Sequence, residues 1–353
     1  MSPTIKFSNA NTLFSKSLRI RINEYFKMSG KSKTGDWRIG LKAAILFASF
    51  IGLYAILVFV QPYWPISILF CVLLGVNFAA IGFNIMHDAG HNSLSRNTKI
   101  NTLLSYSLNL VGGNIYLWKL KHNIAHHTYT NINGEDHDIE IKFMRVHRGQ
   151  VLRGYHKYQR YYFIFLYGIS YLAWVFFQDY EKYFRQKLGK NSERFAFPNK
   201  EKAIFWVSKL FHFCIFIVIP LVIVGWLPTL IGMLVTGIVC GICLATVFQL
   251  AHVVEATEFK SIAADKVEEE WMVHQVQSTA NFATKNRVLT WLLGGLNFQL
   301  EHHLFPRICH VHYPAINKIV KETCRELGIK NVEYATFREA FKSHVRVIRS
   351  MSR

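Results

Sequence analysis

The chain has 353 residues, 51% of them hydrophobic, yet it carries 41 Lys and Arg against 22 Asp and Glu, a formal net charge of +19. A disordered basic tail cannot be this apolar, and an ordinary soluble enzyme seldom combines both extremes. Charge and apolar surface must therefore be segregated along the chain.

Residues 1–40 are polar and basic, lack the apolar core of a cleavable signal peptide, and read as a cytoplasmic arm with an amphipathic helix around Leu18–Phe26. From Ala43 to Met86 there is no Asp, Glu, Lys or Arg, and the same holds from Leu210 to Ala251. Each stretch is long enough for two crossings at about 20 residues per span. The first breaks at Gln61-Pro62-Tyr63-Trp64-Pro65 and the second at Gly225-Trp226-Leu227-Pro228, where proline ends helices and the aromatic rings suit the membrane interface. The fold class expected is an all-α integral membrane protein. Four transmembrane helices, about 41–60, 66–86, 205–225 and 229–251, form two hairpins beneath a cytoplasmic helical cap that holds a di-metal site. Long buried helices of a soluble protein would need a polar face.

Between the hairpins, Leu103–Leu117 and Tyr161–Phe177 are apolar but short or interrupted, and they read as interfacial helices. After the second hairpin, Tyr313–Leu327 and Tyr334–Ile348 are patterned as amphipathic helices. Neither hairpin turn carries a charge, whereas 1–42 has nine Lys/Arg against Glu24 and Asp36, and 304–353 has ten against four Glu. The positive-inside rule then puts both termini and the middle segment in the cytoplasm. The basic face can also attract anionic head groups or an acidic partner; no basic-aromatic motif points to nucleic acid. Six cysteines make no disulfide framework, and Cys240 and Cys243 read as space-fillers within a span.

Eight of the sixteen histidines cluster where the second and fourth spans emerge or just beyond. His87-Asp88-Ala89-Gly90-His91 has the four-residue spacing that puts two imidazoles on one helix face, about 5–6 Å apart at Cβ. His122-Asn123-Ile124-Ala125-His126-His127 repeats that spacing and adds a neighbouring ring. His302 and His303 follow Gln299, and His252 ends the fourth span. Adjacent helical residues diverge by about 100°, so such pairs suit two metals better than one. His137, His147, His156, His310, His312 and His344 lack this spacing and read as surface residues, while His212 packs within the third span.

A hydrolytic zinc site would need an activating carboxylate as in H-E-x-x-H, which is absent, and so are the Glu-x-x-His pairs of soluble di-iron bundles. Eight neutral imidazoles suit two metals with positions left for oxygen. At a membrane surface, such a centre points to oxidation of a lipid. A membrane metal transporter or sensor is the rival from another class, but it would place ionisable groups inside the spans.

H-D-A-G-H, H-N-I-A-H-H and Q-L-E-H-H, in this order around two hairpins, resemble the three histidine boxes of membrane fatty acid desaturases. The resemblance covers roughly residues 65–315. Gln299 at the head of the third box resembles the front-end branch, and the run from Trp118 to Asp138 is similar to stand-alone bacterial members labelled linoleoyl-CoA desaturases. The resemblance implies a desaturase domain over 41–315, followed by a cytoplasmic helical segment over 316–353. It implies two non-haem iron ions with O₂ as co-substrate. His87, His91, His122, His126, His127, His252, His302 and His303 would be ligands, with Gln299 binding weakly, through water, or orienting a neighbour. Ligating imidazoles usually donate their second N–H outward, and Asp88, Asp138, Glu255 and Glu301 are the candidate acceptors.

The implied substrate is a fatty acyl chain on coenzyme A or a lipid, held in a bent apolar tunnel. Trp118, Lys119 and Lys121 could meet its head group or act as interface anchors. The His-Pro-Gly-Gly mark of a fused cytochrome b5 domain is absent, so electrons are expected from a separate ferredoxin or cytochrome b5. The expected location is a bacterial cell membrane, or the endoplasmic reticulum in a eukaryote, with the active site facing the cytoplasm. Hydroxylases, ketolases and sphingolipid desaturases with the same centre remain alternatives.

Overall fold

A computed structural model describes residues 5–8, 13–189, 192–261 and 266–353. Helix α1 (Leu13–Ser29) buries Phe14, Leu18, Ile22 and Phe26, an apolar stripe at helical spacing, against the C-terminal part of the chain. Asp36 caps the next helix, its side chain accepting from the Arg38 N–H. Among the described residues, five helices are long and apolar enough to cross a membrane: α2 (Trp37–Val60), α3 (Trp64–Gly90), α5 (Gly154–Arg185), α6 (Asn199–Val224) and α7 (Trp226–His252). Between α3 and α5 lies α4 (115–129).

Four of the five overlap the expected spans and each begins two to six residues earlier than expected. The first hairpin turns at Gln61, in a left-handed conformation, and Pro65 sits in the first turn of α3. The second turns on Gly225 alone, whose φ of 86° only glycine adopts readily, so the expected four-residue turn contracts to one residue. The fifth helix, α5, is the difference. Residues 161–177 are the middle of one continuous run rather than a short separate helix. Residues 103–117 form no single helix: Thr98–Ser105 and Ser107–Leu110 are separate, and the chain then turns at Gly112, where φ is 96°.

Helix α7 is central, packing on α3 along one side and on α5 along another. At the α5 crossing, a Cβ on Gly241 would lie 2.5 Å from the carbonyl oxygens of both Tyr167 and Gly168, so the two backbones can meet only at glycine. Beyond α7 come α8 (Trp271–Ser278), α9 (Gln299–Leu304), α10 (Tyr313–Glu326) and α11 (Phe337–Ser350), which stack over the ends of α3 and α7. The all-helical expectation needs one small correction. Two parallel two-stranded pairs, β1 (Lys6–Phe7) with β2 (Lys266–Val267) and β3 (Ala280–Phe282) with β4 (Val332–Tyr334), stitch distant segments of this cap.

Candidate metal centre

The eight histidines of the three boxes and the end of α7 converge, all buried. Two groups form. His87, His91, His122 and His302 make one; His126, His252 and His303 make the other; within each, the offered ligand atoms lie within 4.8 Å of one another. His127 stands between them, its ring 4.6 Å from His302 and 4.5 Å from His303.

Local backbone geometry explains this division. His87 and His91 share a group, as one helix face requires. His302 and His303 divide between the groups because neighbours on a helix diverge. His122 and His126 also divide, which their four-residue spacing did not suggest. Residues 119–126 are π-helical, and the two rings stay stacked, 5.2 Å apart. Another π-helical turn, over 82–86, directly precedes His87.

Outward-facing ring nitrogens are held by a set of oxygen acceptors. His122 Nδ1 donates to Asp138 at 2.8 Å and His126 Nδ1 to Asp136 at 2.9 Å. His303 Nδ1 meets Gln275 Oε1 at 2.8 Å, His302 Nδ1 meets the Tyr313 hydroxyl at 3.1 Å, and His252 Nδ1 faces the Ser278 carbonyl at 3.3 Å. Nδ1 of His87, Nε2 of His91, His122, His126 and His302, and both nitrogens of His127 are buried without any hydrogen-bond partner. Each such atom costs about 1–3 kcal/mol when left unpaired. So many in one place fit a cation-binding role, and the donor set of neutral imidazoles suits iron. Burial and neighbouring rings hold His91, His127, His302 and His303 well below the usual histidine range, and His122 falls to about 4, so the rings stay neutral donors.

Gln299 bridges the second group. Its Nε2 lies 3.0 Å from His252 Nε2 and 3.2 Å from His303 Nε2. Trp118 stacks on His122 at 4.5 Å and Phe248 covers His126 at 5.0 Å, so aromatic rings shield the centre from water. The Trp118 ring fits only because residue 90 is glycine: a Cβ there would lie 2.5 Å from it.

Of the four candidate carboxylates, Asp138 meets a box histidine. Burial alone would raise it, but the Lys121 ammonium and His122 outweigh burial and hold it well below the usual range. Asp88 lies 4.0 Å from His87 Nδ1, too far to hydrogen-bond, and instead accepts from His310 Nδ1 at 2.8 Å and Cys309 Sγ at 3.0 Å. Glu255 is exposed and paired with Arg346, so it does not serve the centre. Glu301 is buried between Asn281 and Asn317 and touches no ring; burial lifts it to about 7 against those two bonds. Asp136, Gln275, Tyr313 and Thr130, whose hydroxyl lies 3.2 Å from His303 Nδ1, were not anticipated. For Asp136 a signal exists, its alternation with Asp138 in Glu135-Asp136-His137-Asp138. Tyr313 is 11 residues past His302 with no such pattern to mark it, and Gln275 and Thr130 lie 28 and 173 residues from His303.

The expected surface histidines are corrected as well. His147, His156, His310, His312 and His344 are buried, and His137 is half-buried. Each of the five buried rings finds a polar or aromatic partner that makes burial tolerable: His344 links the Tyr167 hydroxyl to the Val253 carbonyl, and His312 reaches the Thr34 carbonyl. His212 packs inside, as expected. His274 is also fully buried, with Nε2 2.7 Å from the Thr130 carbonyl.

Long apolar helices capped by a buried, eight-imidazole centre define a helical membrane protein of the histidine-box oxidoreductase class. The family model described as fatty acid desaturase matches residues 62–334. The chain is 35% identical to an sn-1 linoleoyl-lipid 6-desaturase of Synechocystis sp., covering 99% of this chain and 98% of that one. It is 34% identical to an sn-1 linoleoyl-lipid 6-desaturase of Arthrospira platensis, covering 96% and 92%. It is 32% identical to an acyl-lipid (8-3)-desaturase of Physcomitrium patens, covering 97% of this chain and 72% of that one. The chain belongs to the fatty acid desaturase family and is an oxidoreductase of lipid metabolism.

Proposed function

We propose that the protein inserts a double bond on the carboxyl side of an existing one in a lipid-borne acyl chain. The observation that carries this is the pair of histidine groups with their unpartnered nitrogens. His87, His91, His122 and His302 would hold one iron, His126, His252 and His303 the other, with His127 between them and Gln299 against the second. Two bound iron ions would supply the chemistry that removes two hydrogens from adjacent methylenes while O₂, two electrons and two protons become two waters. Asp136, Asp138, Gln275 and Tyr313 orient the rings, and Trp118 and Phe248 exclude water and turn an apolar wall to the substrate. The front-end position and lipid carrier are supported by Gln299 and by the relatives' names.

Four helices cross the bilayer in this reading; α5 packs into α7 as deep as Gly237 but does not cross, because both its ends return to one side. Support comes from its two ends. Gln159 donates to the carbonyls of Arg145 and Ile348 at one end, while at the other Tyr183 meets Phe197 edge to face, and Phe197 also packs on Tyr116 just before the second histidine box. Both anchors belong to the histidine-bearing side. The charge-free turns then face outward, and residues 41–315 form the enzymatic unit between a basic arm and a C-terminal helical segment. Electrons come from a separate acidic carrier, ferredoxin or cytochrome b5, attracted by the basic cytoplasmic face. The cell membrane of a bacterium is the proposed location.

Expression in a host fed defined fatty acids, with mass-spectrometric localisation of double bonds, tests the reaction. New unsaturation toward the carboxyl end is expected; hydroxylated products or unchanged lipids would refute it. Purified protein should carry iron, and His126→Ala should abolish turnover with membrane insertion intact.

A further inference from the structure

We propose that residues 142–161 form a docking rim for the phosphate head groups of anionic phospholipid at the bilayer surface. No Asp or Glu occurs from Ile141 to Gln178, and the six cations of that stretch all precede Tyr161. One of them, Arg145, is buried and given over to the backbone carbonyls of Gln150, Met351 and Arg353. The other five, Lys142, Arg148, Arg153, Lys157 and Arg160, are exposed, and among the described residues none forms an ion pair with a carboxylate. That sets them apart from Arg21, Lys121 and Arg346, whose charges are matched by Glu326, Asp138 and Glu255.

Aromatic and aliphatic side chains are interleaved with these cations. Tyr155 is 42% exposed, Tyr158 56%, Tyr161 69% and Val151 74%, and Lys157 and Arg160 lie over the Tyr158 and Tyr161 rings. Exposed tyrosines beside unmatched cations are the composition of a membrane–water boundary, where the ring sits at head-group depth and the cation meets phosphate. The rim is built rather than loose. Gln159 and His156 are buried beneath it, bonded to the carbonyls of Arg145 and Ile348 and to the Arg153 N–H. It also runs without interruption into the apolar part of α5, whose Phe165 is 64% exposed.

The proposal rests on the reading that α5 meets the bilayer, and its test reads lipid contact rather than turnover, so the desaturase assignment can fail separately. The full chain carrying Tyr158→Trp is reconstituted in nanodiscs containing brominated phosphatidylglycerol or brominated phosphatidylcholine. The added fluorescence should be quenched preferentially by the anionic lipid. Combined Arg148→Gln, Arg153→Gln, Lys157→Gln and Arg160→Gln should reduce that preference about tenfold or more, because each cation near a surface contributes about 1 kcal/mol. Lysine at the three arginine positions should restore it. Removing the charges of Lys318, Arg325 and Lys330 instead should leave it unchanged, which separates a local rim from net charge. Equal quenching by both lipids, or quenching by aqueous acrylamide alone, would overturn the proposal. So would an unchanged lipid preference in the glutamine variant together with lost binding of an acidic [2Fe–2S] ferredoxin, since the rim would then serve a protein.

Discussion

The carboxylate of Asp136 accepts a hydrogen bond from His126 Nδ1 at 2.9 Å, with both side chains completely buried. It also takes the Asn131 N–H at 2.9 Å, so one acidic group fixes both a histidine and the turn that follows its helix. Two residues on, the partly exposed Asp138 repeats the device with His122. An Asp-x-Asp pair thus serves the two histidine groups separately.

Replacing either aspartate should therefore weaken metal binding selectively. Asp136→Asn and Asp138→Asn are each expected to cost about 10–100-fold in iron affinity. Asp136→Asn should cost more, since its site is dry. Iron retained against a graded chelator checks this, and retention equal to the parent would show that the carboxylates are not orienting the rings.

Gly90 lies under the Trp118 ring. Gly90→Ala should displace that ring from His122, with an overpacking penalty of about 1–3 kcal/mol. Thermal unfolding in detergent would report the loss, and activity should fall more than stability alone explains.

Lys209 donates to Asp179 at 2.8 Å and to the carbonyls of Gly112 and Val175, all of it buried. Lys209→Met would leave Asp179 unpaired, at about 3–5 kcal/mol. Adding Asp179→Asn should recover part of the loss. If the double variant is no better than the single, the ion pair is not what joins α6 to α5.

His344 is fully buried, and burial pushes it down to about 4 from an ordinary 6.5. A group depressed in the folded state contributes nothing adverse above about pH 6.5, where it is neutral folded and unfolded alike. Stability is lost as pH falls from there toward 4, because the unfolded chain then binds a proton that the folded one refuses. Near pH 5 the loss from this residue is about 2 kcal/mol. His344→Gln should lower the melting temperature at neutral pH yet flatten its fall between about pH 7 and 5. A slope as steep as the parent's would show that other groups control acid sensitivity.

The sequence by itself determined the charge-free hairpins, because an apolar run with no Asp, Glu, Lys or Arg has one favourable solvent. It also located the eight histidines, since box spacing survives any folding. The tertiary structure decided how those histidines divide. His122 and His126, four residues apart with rings stacked at 5.2 Å, still join different groups. It decided too which carboxylates serve them: Glu255 was drawn to Arg346 and Asp88 to His310, partners 91 and 222 residues away. Those choices rest on which side chains share one buried space, and chain order carries no record of that.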